Sequence, residues 1–220
     1  MLRPLCTAAA VALMMAVPAA AQTTHTHTHS HDHGHDHAQD AAKAQIYKGY
    51  FDDAQIAPRA LSDWEGEWQS VYPLLVAGTL DPVMAHKAEA GDKTAAEYRA
   101  YYETGYRSDV DRITIAGDHI TFHRATGDVA GDYAADGHEV LTYKKGNRGV
   151  RFIFKKVAGD AAAPGFIQFS DHKIAPEKAD HYHLYMGDDR AKLLEQLENW
   201  PTYYPAALTP AQVVDEMLAH

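Results

Sequence analysis

Downstream of Asp111 the chain alternates apolar and polar residues in short runs broken by glycine and proline, the period-two pattern of β-strands. RITIAGDHITFHRA (112–125) turns at Gly117-Asp118, and GDYAADGHEVLTYKK (131–145) offers Asp136-Gly137 as a hairpin turn. RGVRFIFKKV (148–157), GFIQF and HYHLYMG continue the series. Six or more strands with short turns predict an antiparallel meander that closes into a barrel or sandwich. Ahead of them, WQSVYPLL within LSDWEGEWQSVYPLL (61–75) reads as a further strand with Pro73 near its end, and Trp64 and Trp68 as core anchors. Over 79–105 the period changes. LDPVMAHKAEA and KTAAEYRAYYETGY read as two helices, Pro82 near the start of the first and Gly105 closing the second. AAKAQIYKGYF (41–51) reads as a short helix or connector, and two helices end the chain: DRAKLLEQLENW (189–200) stopping at Pro201, and TPAQVVDEMLAH (209–220) opening on Thr-Pro. No internal repeat is evident.

The first residues change what counts as fold. Arg3 precedes the apolar run CTAAAVALMMAV, and Pro18-Ala19-Ala20-Ala21 supplies small residues for cleavage. Residues 1–21 therefore read as a secretory signal peptide, too short for a membrane span. Its removal takes Cys6, the one cysteine, and Arg3, so the formal net charge goes from −10 to −11. The mature chain is an acidic, cysteine-free exported protein, which argues against a disulfide scaffold and against nucleic acid or membrane insertion. Residues 22–40 follow as a His-rich tail. TTHTHTHSHDHGHDH (23–37) has histidine at every odd position from His25 to His37 and too little apolar surface to fold, so it reads as a disordered chelator of borderline divalent metals. Residues 41–220 hold enough chain for one good core.

The candidate chemistry lies in SDHKIAPEKADHYHLYMG (170–187). His181 and His183 sit two apart on a predicted strand and so share a face. His172 closes the preceding strand. An antiparallel hairpin brings it within one or two positions of the pair, where three imidazole nitrogens can converge on one ion at about 2.0–2.1 Å. A lone histidine is usually a satisfied core or surface residue; three on one hairpin are a metal-site candidate. His119 and His123 share a face four residues apart with no obvious third ligand, His138 lies beside a turn glycine, and His86 and His220 read as helix-surface residues.

LSDWEGEWQSVYPLL, LTYKKGNRGVRFIF, QFSDHKIAPEKADHYHLYMGDD and ENWPTYYP resemble the ZinT (YodA) family of periplasmic zinc-binding proteins, from about Gly49 to His220. The resemblance implies a mainly β fold with added α-helices, a lipocalin-like (calycin-type) antiparallel β-barrel. It implies Zn(II) held by His172, His181 and His183, capture of zinc under limitation, and assistance to a zinc ABC importer through its ZnuA-like periplasmic binding protein. Cadmium or other divalent metals are possible further cargo, and a periplasmic monomer that is not an enzyme is expected. There is one departure: where family members carry a cysteine pair tying neighbouring strands, this chain has Gly131 and Lys156. Two rival readings stay open. Three histidines and a water also serve a zinc hydratase or hydrolase, and Trp64, Trp68 and the tyrosines could line a small-ligand cavity.

Overall fold

Alternation along the strands gives each an apolar row, and a closed barrel buries these rows together without leaving an unpaired edge. The computed structural model describes residues 33–219. Residues 1–32, with the expected signal peptide and most of the His-rich tail, lie outside the described residues, as does His220. In chain order the elements are α1 (His33–Tyr47), β1 (Gly66–Ser70), α2 (Tyr72–Val76), α3 (Asp81–Ala90), α4 (Ala95–Tyr106) and β2 (Val110–Ala116). There follow β3 (His119–Arg124), β4 (Val129–Thr142), β5 (Arg148–Gly159), β6 (Phe166–Ser170), β7 (Tyr182–Gly187), α5 (Arg190–Glu195), β8 (Thr202–Pro205) and α6 (Pro210–Ala219). The strands pair antiparallel in sequence order, and β8 closes the barrel by pairing with both β7 and β1.

The inward rows, among them Trp68, Ile113, Ile115, Ile120, Phe122, Tyr133, Phe152, Phe154, Phe169, Tyr182 and Tyr203, are none of them more than 2 % exposed. Trp64, on a 3-10 turn before β1, stacks on Phe169 with ring centres 4.6 Å apart and accepts the Trp68 indole N–H on its carbonyl at 2.7 Å. Both tryptophans are therefore core anchors. A second apolar cluster sits outside the barrel, where α2, α3, α4 and α6 pack Leu75, Leu80, Met84, Tyr106, Val213 and Met217 around Tyr204 of β8.

Several elements depart from the sequence expectation. The strand expected to run to Pro73 stops at Ser70, because Pro73 opens α2, where its fixed φ and missing N–H are tolerated. Asp136-Gly137 is not a hairpin turn. It is a bulge inside β4, with Gly137 at φ 86 and the register to β5 shifting between Ala135 and His138. α1 starts at His33 rather than at residue 41, so residues 33–40 are helical where a disordered tail was expected; the alanine-rich stretch behind them has the propensity to extend a helix backward. The helix expected over 189–200 ends at Glu195, with Gln196 extended, and β8 was not anticipated at all.

Candidate metal centre

Alternation along β7 sends Tyr182 and Leu184 into the barrel core. His181 and His183, one residue out of phase, lie on the outer wall beneath the helices. β8 repeats the pattern. Tyr203 points inward, while Thr202 and Tyr204 face outward directly across from the histidines, with His183 opposite Thr202 in the register. Tyr204 lies flat against His181, ring centres 5.1 Å apart and planes 12° apart. The strand before the loop delivers His172: Ser170 pairs with His183, and the chain then turns at His172 with φ 64, the one non-glycine residue at positive φ among the described residues.

The structure brings the three rings together. Their centres form a near-equilateral triangle of 5.8 Å (His172–His181), 6.0 Å (His172–His183) and 6.1 Å (His181–His183). Three imidazoles on one tetrahedral ion at about 2.0–2.1 Å have ring centres about 5 Å apart. The trio thus stands about 1 Å too wide, a distance that small side-chain rotations cover. Consistently, among the described residues no three His, Cys, Asp or Glu side chains already close on a metal.

Hydrogen bonds fix the protonated nitrogen of two rings. His172 Nδ1 lies 3.2 Å from the Tyr47 carbonyl, which can only accept, so Nδ1 carries the proton. Tyr47 also stacks on the same ring at 4.5 Å. For His183 the partner is the Thr202 hydroxyl, 2.8 Å from Nδ1. That hydroxyl donates its one proton to the Trp200 carbonyl at 2.9 Å, so it must accept from His183 Nδ1–H. In both rings the proton on Nδ1 makes Nε2 the lone-pair nitrogen, the tautomer a metal-ligating histidine uses when its second nitrogen is hydrogen-bonded. Burial first, then His181, His172 and Arg151, hold the His183 imidazole well below the ordinary histidine pKa, which keeps it neutral.

The left-handed turn at His172 costs about 1–2 kcal/mol in a residue with a Cβ, so something must hold it. Arg59 does. Its guanidinium bonds Asp63 Oδ2 (2.8 Å), Asp171 Oδ1 (2.6 Å), the Glu177 carbonyl (2.6 Å) and the Lys173 carbonyl (3.4 Å), and lies 4.0 Å over the Trp64 ring. The side chains of Arg59 and Asp171 are both fully buried. Burial pushes the Asp171 carboxyl up, and Arg59 opposes that shift.

None of Arg59, Tyr47, Thr202 or Tyr204 stood out in the sequence. Arg59 and its partner Asp171 are 112 residues apart, and Thr202 is one threonine in an aromatic run. Among the described side chains, His86, His119, His123 and His138 lie apart from the trio. His119 and His123 do share the outer face of β3, but each pairs with its own aspartate, Asp132 at 2.6 Å and Asp128 at 2.8 Å. His86 is exposed on α3 beside Glu89, and His138 follows the β4 bulge. The acids flanking the motif are engaged: Asp180 pairs with Lys173 at 2.9 Å and Asp188 accepts the Gly165 amide at 2.9 Å.

A family model described as ZinT (YodA) periplasmic lipocalin-like zinc-recruitment matches residues 42–220. The chain belongs to the ZinT (YodA) family. Among relatives of this ZinT-family chain, a probable metal-binding protein, YrpE, of Bacillus subtilis is 54% identical over 182 residues, spanning 82% of this chain and 72% of its own. The zinc-binding protein AdcA of Streptococcus pyogenes serotype M1 is 51% identical over 180 residues. Only 35% of AdcA is matched, so the ZinT-type chain corresponds to one part of that longer protein. Two solved structures agree. Zn(II)-bound AdcA of Streptococcus pneumoniae superposes with a TM-score of 0.77 at 47% identity, over 80% of this chain and 38% of that one. The Zn(II)-bound ZinT-like domain of the same protein gives a TM-score of 0.76 at 46% identity, over 79% of this chain and 97% of the domain. The closed eight-stranded barrel with added helices is the lipocalin-like fold the family description names.

Proposed function

We propose that this protein captures Zn(II) through His172, His181 and His183 and acts as a periplasmic zinc-recruiting protein. The observation that carries the reading is the ring triangle of 5.8–6.1 Å in which two tautomers are already set to offer Nε2. The zinc-binding names of its relatives point the same way. Three neutral nitrogens leave one position of a tetrahedral ion open, which suits a carrier: a partner's ligand can enter before the others leave. We take delivery to the binding protein of a zinc ABC importer to be the use of that open position, with cadmium, which takes the same donors, as a second cargo. The chain is a binding protein rather than an enzyme, exported by the signal peptide at 1–21. The test is competitive zinc titration of the mature protein with each histidine changed to alanine. One tight site per chain, lost or weakened in all three variants, is expected; unchanged tight binding in any of them removes that residue from the site.

A further inference from the structure

Beside the histidine trio lies a cavity of about 450 Å³ that opens on His172 and His183. Its lining carries four cations, Lys48, Arg148, Arg151 and Lys173, and no aspartate or glutamate, in a chain whose net charge is −10. Three facts single out Arg151. It points outward from β5 between the inward-facing Val150 and Phe152, and is 1 % exposed. Its guanidinium meets neutral groups: Gln168 Oε1 (3.4 Å), the Leu193 carbonyl (3.4 Å) and the Gln196 carbonyl (3.3 Å), all at long range, together with the side chains of Tyr143 and Tyr185. Its Nε is buried without a hydrogen-bond partner. Arg148 and Lys173, by contrast, pair with Asp53 and with Glu177 and Asp180. A buried guanidinium normally has a carboxylate beside it, because an uncompensated buried charge costs several kcal/mol. Here the ring of Tyr185, 3.1 Å from the guanidinium carbon, covers one face, and the remaining in-plane donors have no anion.

We propose that this cavity is a subsite for a small organic carboxylate. The carboxylate pairs with Arg151 and lies along the His172–His183 edge of the trio, where a second oxygen can occupy the zinc position the histidines leave open. The planar fork of arginine matches a carboxylate. The apolar walls supplied by Ile174, Leu197 and Trp200 favour an organic anion over a fully hydrated inorganic one. The coordination half of this proposal rests on the zinc reading above; the Arg151 half does not.

Titration of the full-length, zinc-free protein with succinate and with inorganic phosphate, at constant ionic strength and followed by calorimetry, tests it. Succinate is expected to bind and to be preferred over phosphate. Arg151→Gln is expected to weaken succinate about tenfold or more, the value of a charge-assisted bond, with Arg151→Lys between the two. Arg151→Lys keeps charge and bulk, so it still reports if Arg151→Gln does not fold. The variant with all three histidines changed to alanine is expected to retain succinate binding while losing any succinate-dependent gain in zinc affinity. That separates the two readings: a wild-type chain that binds succinate but shows no tight zinc site overturns only the zinc assignment. Absence of succinate binding to wild type, preference for phosphate, or equal succinate affinity in Arg151→Gln or Arg151→Lys overturns the carboxylate subsite.

Discussion

His183 shows how its surroundings set the state of a single side chain. Its proton is placed on Nδ1 by Thr202, whose own proton is committed to Trp200. Thr202→Val, which keeps the shape and removes the acceptor, is expected to weaken zinc about 10–100-fold by competitive titration, the usual cost of losing a ligand's supporting hydrogen bond. The depressed pKa of His183 also predicts a pH dependence of the zinc-free fold. As pH falls below about 6.5 the unfolded chain takes up a proton that folded His183 does not. This contribution to stability is thus complete above that pH and is lost as pH falls toward the lower, folded-state pKa. Urea midpoints measured between pH 7.5 and 5.5 should fall accordingly, and His183→Ala should flatten the decline. Arg59 belongs to the same scale. Arg59→Met leaves Asp171 buried without its cation and is expected to cost about 3–5 kcal/mol in urea unfolding. Adding Asp171→Leu should restore part of that loss, and a double-mutant cycle with no recovery would remove the pair from the account.

At the level of elements, the centre depends on how a helical layer is pressed against the β7–β8 wall. α4 meets the segment after α5 at Gly105, where an added Cβ would lie 2.4 Å from a Trp200 ring atom. The Trp200 amide also donates to the Gly105 carbonyl at 2.6 Å. Gly105→Ala is therefore expected to destabilise by about 1–3 kcal/mol through overpacking and to shift tryptophan fluorescence as Trp200 moves off the cavity wall. Strands β4 and β5 are where related chains were expected to carry a cysteine pair. Here the Lys156 stem passes 3.1 Å from the position of a Cβ on Gly131, and its ammonium donates to the carbonyls of Asp160 (2.7 Å) and Ala163 (2.5 Å). A lysine staple to the following turn thus stands where the resemblance implies a cysteine pair in other family members.

For the whole molecule, zinc that binds only the folded chain must stabilise it. At a free zinc concentration 100 times Kd the gain is about 2.7 kcal/mol, so a chelator should lower the melting temperature by the corresponding amount. Deleting residues 23–37 is expected to lower zinc capacity or the rate of capture while leaving one tight site, because the trio lies wholly within the barrel domain. Loss of all tight binding in that deletion would place the main site in the tail.

Period and punctuation alone made the β-rich architecture, the helix pair at 79–105 and the HxH face of His181 and His183 legible, because these depend on local alternation and on residues close in sequence. The placing of His172 beside them was also readable, since a hairpin has few registers. What was not readable depends on partners far apart in the chain. Proline at 73 opens a helix only because the second apolar cluster gives that helix a surface to cover, and glycine at 137 is a bulge rather than a turn only because β5 continues past it. Strand β8 exists because the barrel needs a closing edge, and the short run TYYP could not announce it. The same holds for Arg59, Tyr47, Thr202 and Arg151. The sequence alone determined which imidazoles stand close together along the chain, while tertiary packing decided their protonation, their spacing and the charged cavity beside them, because those follow from contacts that no local pattern encodes.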